Sequence, residues 1–281
     1  MVMRMTALPQ SNTLCAHERD GVVYYTFPAF DEIPFVRHGF STRLGGVSKG
    51  IYRSMNLSFT RGDDEGAVRE NFARFCRAMG VDSDNVVISA QEHHTTLYTA
   101  TAADRGRGVT YPRGYEDIDG LLTNEADVVL CTQYADCVPL FFVDPVRRVV
   151  ATSHAGWKGT VARIGEETVK RMERDYGCRP EDILAAIGPS IGPCCFEVDA
   201  PVYEAFSQLP LFDSGCYRQR GEKYDINLWE VNRRILLEAG IALDHLTVTD
   251  LCTRCHPEVF WSHRATGGKR GSLAAFIGIH A

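Results

Sequence analysis

The 281-residue chain is 44% hydrophobic and 23% charged, with a formal net charge of -6. That is the make-up of a globular protein long enough to bury a substantial core. No basic run marks a nucleic-acid or anionic-membrane surface, and no window approaches the roughly 20 apolar residues of a membrane span.

The N-terminal segment Met1–Asp20 holds no apolar stretch of signal-peptide kind, so the expected compartment is the cytoplasm. Ten cysteines in a reducing compartment are expected mostly as buried thiols. Cys15, Cys76, Cys131, Cys178 and Cys216 carry that expectation. No repeat or long linker interrupts the chain, so residues 1–281 are expected to form one unit.

In chain order, Val22–Phe27 and Phe35–Thr42 are rich in β-branched and aromatic residues and predict strands. Val68, Phe72, Phe75, Cys76 and Met79 share one helical face, with Asp63 or Asp64 as cap and Gly80 as stop. Val86–His93 predicts a strand, and residues 101–120 an exposed loop. Asp127–Thr132 predicts a buried strand. "VPLFFV" and "RVVATSH" predict a hairpin turning at "DPVR". Val161, Ile164, Thr168, Val169 and Met172 then fall at helical spacing, closed by Gly177. Later, "INLWEVNRRILLEAG" predicts a helix, and "LTVTD", "VFWSH" and "SLAAFIGI" predict strands. Strands and helices alternate irregularly and hairpins are present. The expectation is an α/β (mixed α+β) fold, with mixed sheets between helix layers.

His93, Cys137 and His154 stand where strands give way to loops, the usual place of catalytic groups. A thiolate and two imidazoles make a zinc donor set with a fourth position open. The same Cys137 and His154 also suit a nucleophile and its base. Both readings stay open at this level. Asp136, next to Cys137, is a candidate acid/base or orienting group. In "HAGWKG", Gly156 and Gly159 permit close backbone approach, Lys158 adds charge, and a helix beginning near Thr160 would offer free N–H groups to a phosphate. Arg43, in the glycine loop "STRLGGVS", is a second candidate anion clamp. "CTRC" (Cys252–Cys255) and the vicinal Cys194–Cys195 suggest structural zinc or redox chemistry. One C-x-x-C without a matching pair does not specify either, and Pro257 follows closely, so buried thiols are expected here too.

"HGFSTRLGGVS", "NLSFTRGDD", Q-x-H at Gln91–His93, "DGLLT", "ADCVPL", "HAGWKG", "GPSIGPCCFEV" and "CT…FWSHR" occur in one order from about His38 to Gly271. That series resembles the YfiH-like laccase-domain family, a bacterial group first named polyphenol oxidases and later purine nucleoside phosphorylases. The resemblance implies a zinc site on His93, Cys137 and His154. It also implies phosphorolysis of adenosine, inosine, guanosine and methylthioadenosine, and deamination of adenosine. Gln91 joins Arg43, Lys158 and Gly156 as expected substrate or phosphate contacts. The chain departs from the family pattern at Glu92 and His94, which makes His94 an alternative ligand, and also at Ser153 and Lys158. The alternatives are a metal-free cysteine hydrolase or amidase, a copper-dependent polyphenol oxidase, and a binding protein without activity. A multicopper site would want H-x-H pairs, which the chain lacks, although copper could occupy a Cys/His site. The expected partners are nucleosides and phosphate, with no nucleic acid and no membrane.

Overall fold

The computed structural model describes residues 8–280. In chain order the strands and helices begin with β1 (Cys15–Arg19), β2 (Val22–Thr26), α1 (Pro28–Asp31), β3 (Val36–Ser41) and α2 (Glu65–Met79). Then come β4 (Val86–Ile88), β5 (Leu97–Thr99), β6 (Gly120–Thr123), β7 (Val129–Tyr134), β8 (Val138–Asp144) and β9 (Val149–Ala155). They are followed by α3 (Trp157–Val161), α4 (Ile164–Tyr176), β10 (Leu184–Ile187), β11 (Glu197–Val198) and α5 (Ala200–Ser207). The chain continues with β12 (Tyr217–Arg220), β13 (Lys223–Ile226), α6 (Leu228–Glu238), β14 (Leu246–Val248), α7 (His263–Thr266) and β15 (Leu273–Ile279).

Two six-stranded mixed sheets carry the architecture, ordered β1-β2-β3-β15-β7-β4 and β14-β10-β8-β9-β6-β5, and β11-β13-β12 form a small third sheet. Strand alternation decides the layering. In β2, Val23 and Tyr25 join the core between the large sheets, while Val22 and Tyr24 face α2. In β8, Phe141 and Val143 point into the same inter-sheet core, while Leu140 and Phe142 face α4 and α6. The result is four layers: helix, sheet, sheet, helices. Each large apolar side chain buried in these three cores contributes about 1.5–3 kcal/mol.

The amphipathic helix predicted after Asp64 forms as α2. Asp64 Oδ1 accepts the Ala67 N–H at 2.8 Å, and Gly80 ends the helix at φ 75°. Its five predicted inward residues are all buried. The predicted hairpin forms as β8 and β9, with Asp144 Oδ1 accepting the Val146 and Arg147 N–H groups in the turn.

Five expectations need correction. "VFWSH" forms no strand: it runs through a turn into the start of α7, where the Ser262 hydroxyl accepts the Ala265 N–H at 3.1 Å. The strand expected to His93 stops at Ile88; Ala90 then bridges to Ile118, and the chain bends at His93 and His94. Residues 101–120 are not simply an exposed loop, because Asp104, Val109 and Ile118 are buried, and Asp104 ties the segment to Tyr98, Thr101 and Arg107. The helix expected from Thr160 begins instead at Trp157 and breaks at Arg163, whose φ of 61° separates α3 from α4. Cys15 is exposed on an edge strand rather than buried. Among the described residues, no helix is long and apolar enough to cross a membrane. The leader expectation rests partly on residues 1–7, outside those described.

Candidate metal centre and its cavity

Antiparallel pairing explains how residues 17 positions apart meet. Val138 pairs with Ala155 and Pro139 with His154, so Cys137 and His154 stand at the same end of the β8–β9 hairpin. β6 flanks β9 on its other side, with Gly120 opposite Ser153. Asp119, just before β6, therefore lies beside His154.

Asp119 is fully buried, and its carboxylate accepts four hydrogen bonds. Oδ1 takes His154 Nδ1–H at 2.8 Å and the His93 N–H at 3.1 Å. Oδ2 takes the Glu92 N–H at 2.9 Å and the His94 N–H at 3.0 Å. These bonds hold the 92–94 turn, in which His93 adopts φ 68°. One donor atom each from His93, Cys137 and His154 then lies within 4.8 Å of the others. His94 faces outward instead, with Nδ1 2.6 Å from Asp117 Oδ1.

The donor set fits a metal such as zinc on its chemistry. Asp119 occupies Nδ1 of His154, which leaves Nε2 for the centre. Burial alone would raise the Cys137 thiol, but the neighbouring His154 and His93 outweigh it and bring it down to about 6. Burial alone would lower His154, but the Cys137 thiolate and Asp119 outweigh it and bring the imidazole up to about 9. Without a metal, thiolate and imidazolium thus face each other. Gly156 completes the cradle. A Cβ there would stand 2.7 Å from His93 Cδ2 and 3.3 Å from Cys137 Sγ. Gly156→Ala should push His93 off its position and weaken metal affinity roughly 10–100-fold, the range for a lost orienting group. Competition titration against a chelator would measure this, and an unchanged affinity would mean that the ring has room to move.

Two cavities meet over this centre. One, of about 430 Å³, is polar and brings Arg61, Arg113 and Arg270 toward His93 and Cys137. The other, of about 410 Å³, is walled by Trp157, Ile191, Phe196 and Leu228, with His263 and Arg264 at its edge. Arg61, His93, Cys137 and Arg270 border both. Arg270 is only 8% exposed, its Nε has no hydrogen-bond partner, and none of the three arginines forms an ion pair among the described residues. A larger cleft of about 610 Å³, beside Arg37, Arg77 and His280, lies away from the donor cluster.

Other expected site residues fall in different places. Gln91 lines the polar cavity, but its amide is spent on the fold: Nε2 donates to the Gln133 carbonyl and Oε1 accepts from Gln133 N–H, both at 2.7 Å. Asp136 borders the apolar cavity with both carboxylate oxygens engaged, one by Thr253 Oγ1–H and one by Arg264 N–H, each at 2.7 Å. It ties two loops together, with each oxygen holding one hydrogen bond. Arg43 is not brought to the cavities. Its guanidinium lies 3.8 Å over Trp261 and donates to the carbonyls of Pro257 and Arg53. Lys158 is exposed, with Nζ over the Trp157 ring, and borders neither cavity. The groups that sequence reasoning missed are Asp119 as anchor, the three arginines, and the apolar wall. Arg61 was available in "NLSFTRGDD", and Asp119 in the residues just before "GLLT".

The buried-thiol expectation for the paired cysteines holds for Cys195 and Cys252 and is corrected for the other two. Cys194 and Cys255 are exposed, and the two pairs converge on one point.

Residues 37–280 match the family model described as multi-copper polyphenol oxidoreductase laccase. The chain belongs to this laccase-domain family. It is 40% identical over 243 residues to "Purine nucleoside phosphorylase YlmD" of Bacillus subtilis, covering 86% of this chain and 87% of that one. It is 36% identical over 249 residues to "Adenosine deaminase RL5" from an unknown prokaryotic organism, covering 86% and 92%. The crystal structure of YlmD from Geobacillus stearothermophilus superposes with a TM-score of 0.88 at 35% identity, covering 94% and 98%. The family is thus one of enzymes, and the mixed-sheet architecture is shared with its solved members.

Proposed function

We propose that this chain is a zinc-dependent purine nucleoside phosphorylase that also deaminates adenosine, working in the cytoplasm as a single catalytic unit. Inosine, guanosine, adenosine and methylthioadenosine are its proposed nucleosides. The observation that carries this reading is the junction of an apolar slot and an arginine-rich lobe at one Cys/His/His centre. The names of its relatives in the family point the same way.

The slot between Trp157, Phe196 and Ile191 suits a planar base, which it would hold by apolar and stacking contact. The arginines would hold phosphate on the other side of the centre. His93, Cys137 and His154 would hold the zinc, and Asp119 fixes the imidazole of His154 with its proton on Nδ1. When bound, zinc would supply a Lewis acid with one open coordination position. Zinc suits this donor set better than a multicopper centre, since the other donor cluster among the described residues contains only cysteines.

A metal-free cysteine hydrolase is the second reading, because Cys137, His154 and Asp119 also stand in the order nucleophile, base and orienting carboxylate.

The phosphate assignment can be tested by steady-state kinetics of inosine phosphorolysis. Arg61→Ala should raise the phosphate KM roughly 10–100-fold, the worth of one charge-assisted contact. Its effect on adenosine deamination should be much smaller, since that reaction takes no phosphate. Arg43→Ala should leave the phosphate KM near its original value. If Arg43→Ala raises it as much as Arg61→Ala does, the lobe assigned to phosphate is the wrong one.

A further inference from the structure

The two cysteine pairs sit on loops that leave one edge of a sheet. β10 and β14 are parallel neighbours, and each leads into one loop, the first carrying Cys194 and Cys195, the second Cys252 and Cys255. Past the strands the loops stay in register, with the Thr253 N–H donating to the Ser190 carbonyl at 3.0 Å. All four Sγ atoms lie within 4.8 Å of one another. Cys255 Sγ is 3.5 Å from both Cys194 Sγ and Cys195 Sγ.

Those separations decide among the chemistries. A disulfide needs its sulfurs at about 2.05 Å, and every cysteine here is free. A tetrahedral ion with arms of about 2.3 Å sets its sulfurs about 3.8 Å apart, close to what these loops present. A cluster of several irons would need its thiolates spread further. Two N–H groups also aim at the sulfurs: Gly192 N at Cys252 Sγ, 3.2 Å, and Arg254 Nη1 at Cys195 Sγ, 3.4 Å. Donors of this kind stabilise thiolates on a metal. Gly192 allows the approach, since a Cβ there would stand 2.8 Å from the Trp229 ring.

We infer that Cys194, Cys195, Cys252 and Cys255 bind one structural zinc ion, separate from the His93/Cys137/His154 centre. Four protein donors fill its coordination, so this ion has no open position for chemistry. Its task is to tie the two loops together. The first loop carries Ile191 and Phe196 of the apolar slot, and the second carries Thr253, which holds Asp136. The ion would therefore brace the wall of the cavity.

The test is metal analysis of protein purified without added metal under reducing conditions. The wild type should carry about two zinc ions per chain, and His93→Ala about one. His93→Ala reconstituted with cobalt(II) should show an intense thiolate-to-cobalt charge-transfer band. Adding Cys255→Ser to His93→Ala should remove both the remaining zinc and that band. Cys255 is exposed, so this change carries little folding risk. If the double variant does not fold, the zinc and the band of His93→Ala decide alone. The inference is overturned if His93→Ala is zinc-free and binds cobalt without that band. It is equally overturned if the intact mass falls short by the hydrogens lost in a disulfide among these four residues. Because the readout is metal and thiol content, it is independent of whether the phosphorylase reading survives.

Discussion

Asp119→Asn should produce a large combined loss of stability, metal and activity in a protein that still folds. The carboxylate offers two oxygens to four donors, namely three backbone N–H groups and His154 Nδ1–H. An asparagine has one acceptor oxygen, so in either orientation its NH₂ faces two of those donors. Leaving buried donors unpaired costs about 1–3 kcal/mol each, so a total of about 3 kcal/mol is a conservative expectation. That corresponds to a fall in Tm of roughly 6–12 °C. The turn carrying His93 would loosen and the Nδ1 proton of His154 would lose its acceptor, so zinc affinity and kcat/KM should fall by at least the 10–100-fold of a lost orienting partner. Burial would raise the Asp119 carboxyl, but its bonds to His154 and the backbone outweigh this and hold it below the usual range. Its stabilisation is therefore full above the ordinary carboxylate pKa and lost as pH falls through the folded value. Asp119→Asn should accordingly flatten the acid limb of the stability profile, as followed by thermal melts across pH. A variant that melts like the wild type and keeps its metal would remove Asp119 from the account.

The second large effect concerns Cys137. In metal-free protein its thiol, depressed to about 6, should react with iodoacetamide along a curve with its midpoint near that pH, far below an ordinary cysteine. The pair it forms with His154 stabilises the metal-free fold in a defined window. The thiolate part is lost as pH falls through about 6, and the imidazolium part as pH rises through about 9. Zinc should mask the thiolate and slow alkylation at every pH. Cys137→Ser exchanges a soft ligand for a poor one, and should lose zinc at this centre together with nearly all turnover, more than the 10–100-fold of a missing orienting group. Peptide mapping after timed alkylation, with and without zinc, would follow the residue directly. Equal alkylation rates in the two states would detach Cys137 from the metal.

What the sequence discloses here follows from the range of the interactions involved. α2 and the β8–β9 hairpin were legible because their signals are local: a cap, a periodic apolar face, a proline turn. Cys137 and His154 were legible as residue types at strand ends and converge through the pairing of β9 with β8, whereas His93 lies beyond the end of β4 and is brought to them by the bonds of its turn to Asp119, beside β6. The break at Arg163 was not legible, because the apolar spacing runs on through it and only the backbone turns. Arg43 and Lys158 misled because a cation in a glycine loop reads the same whether it meets a ligand or a Trp ring. Asp119 stands in "DGLLT", but its anchoring role was not legible because its four donors come from segments 25 to 35 residues away. The four cysteines were undervalued for the same reason, since their two pairs are joined only by the parallel pairing of β10 and β14.

The central claim is that the His93/Cys137/His154 centre works through a bound metal rather than through a free thiolate. The most direct measurement is inosine phosphorolysis by protein stripped of metal and then titrated with zinc, with intact-mass spectrometry of the chain during turnover. The account predicts that activity disappears with the metal, returns as zinc is restored, and leaves no covalent adduct on Cys137. Undiminished activity in metal-free protein, with a substrate-derived adduct on Cys137, would contradict it.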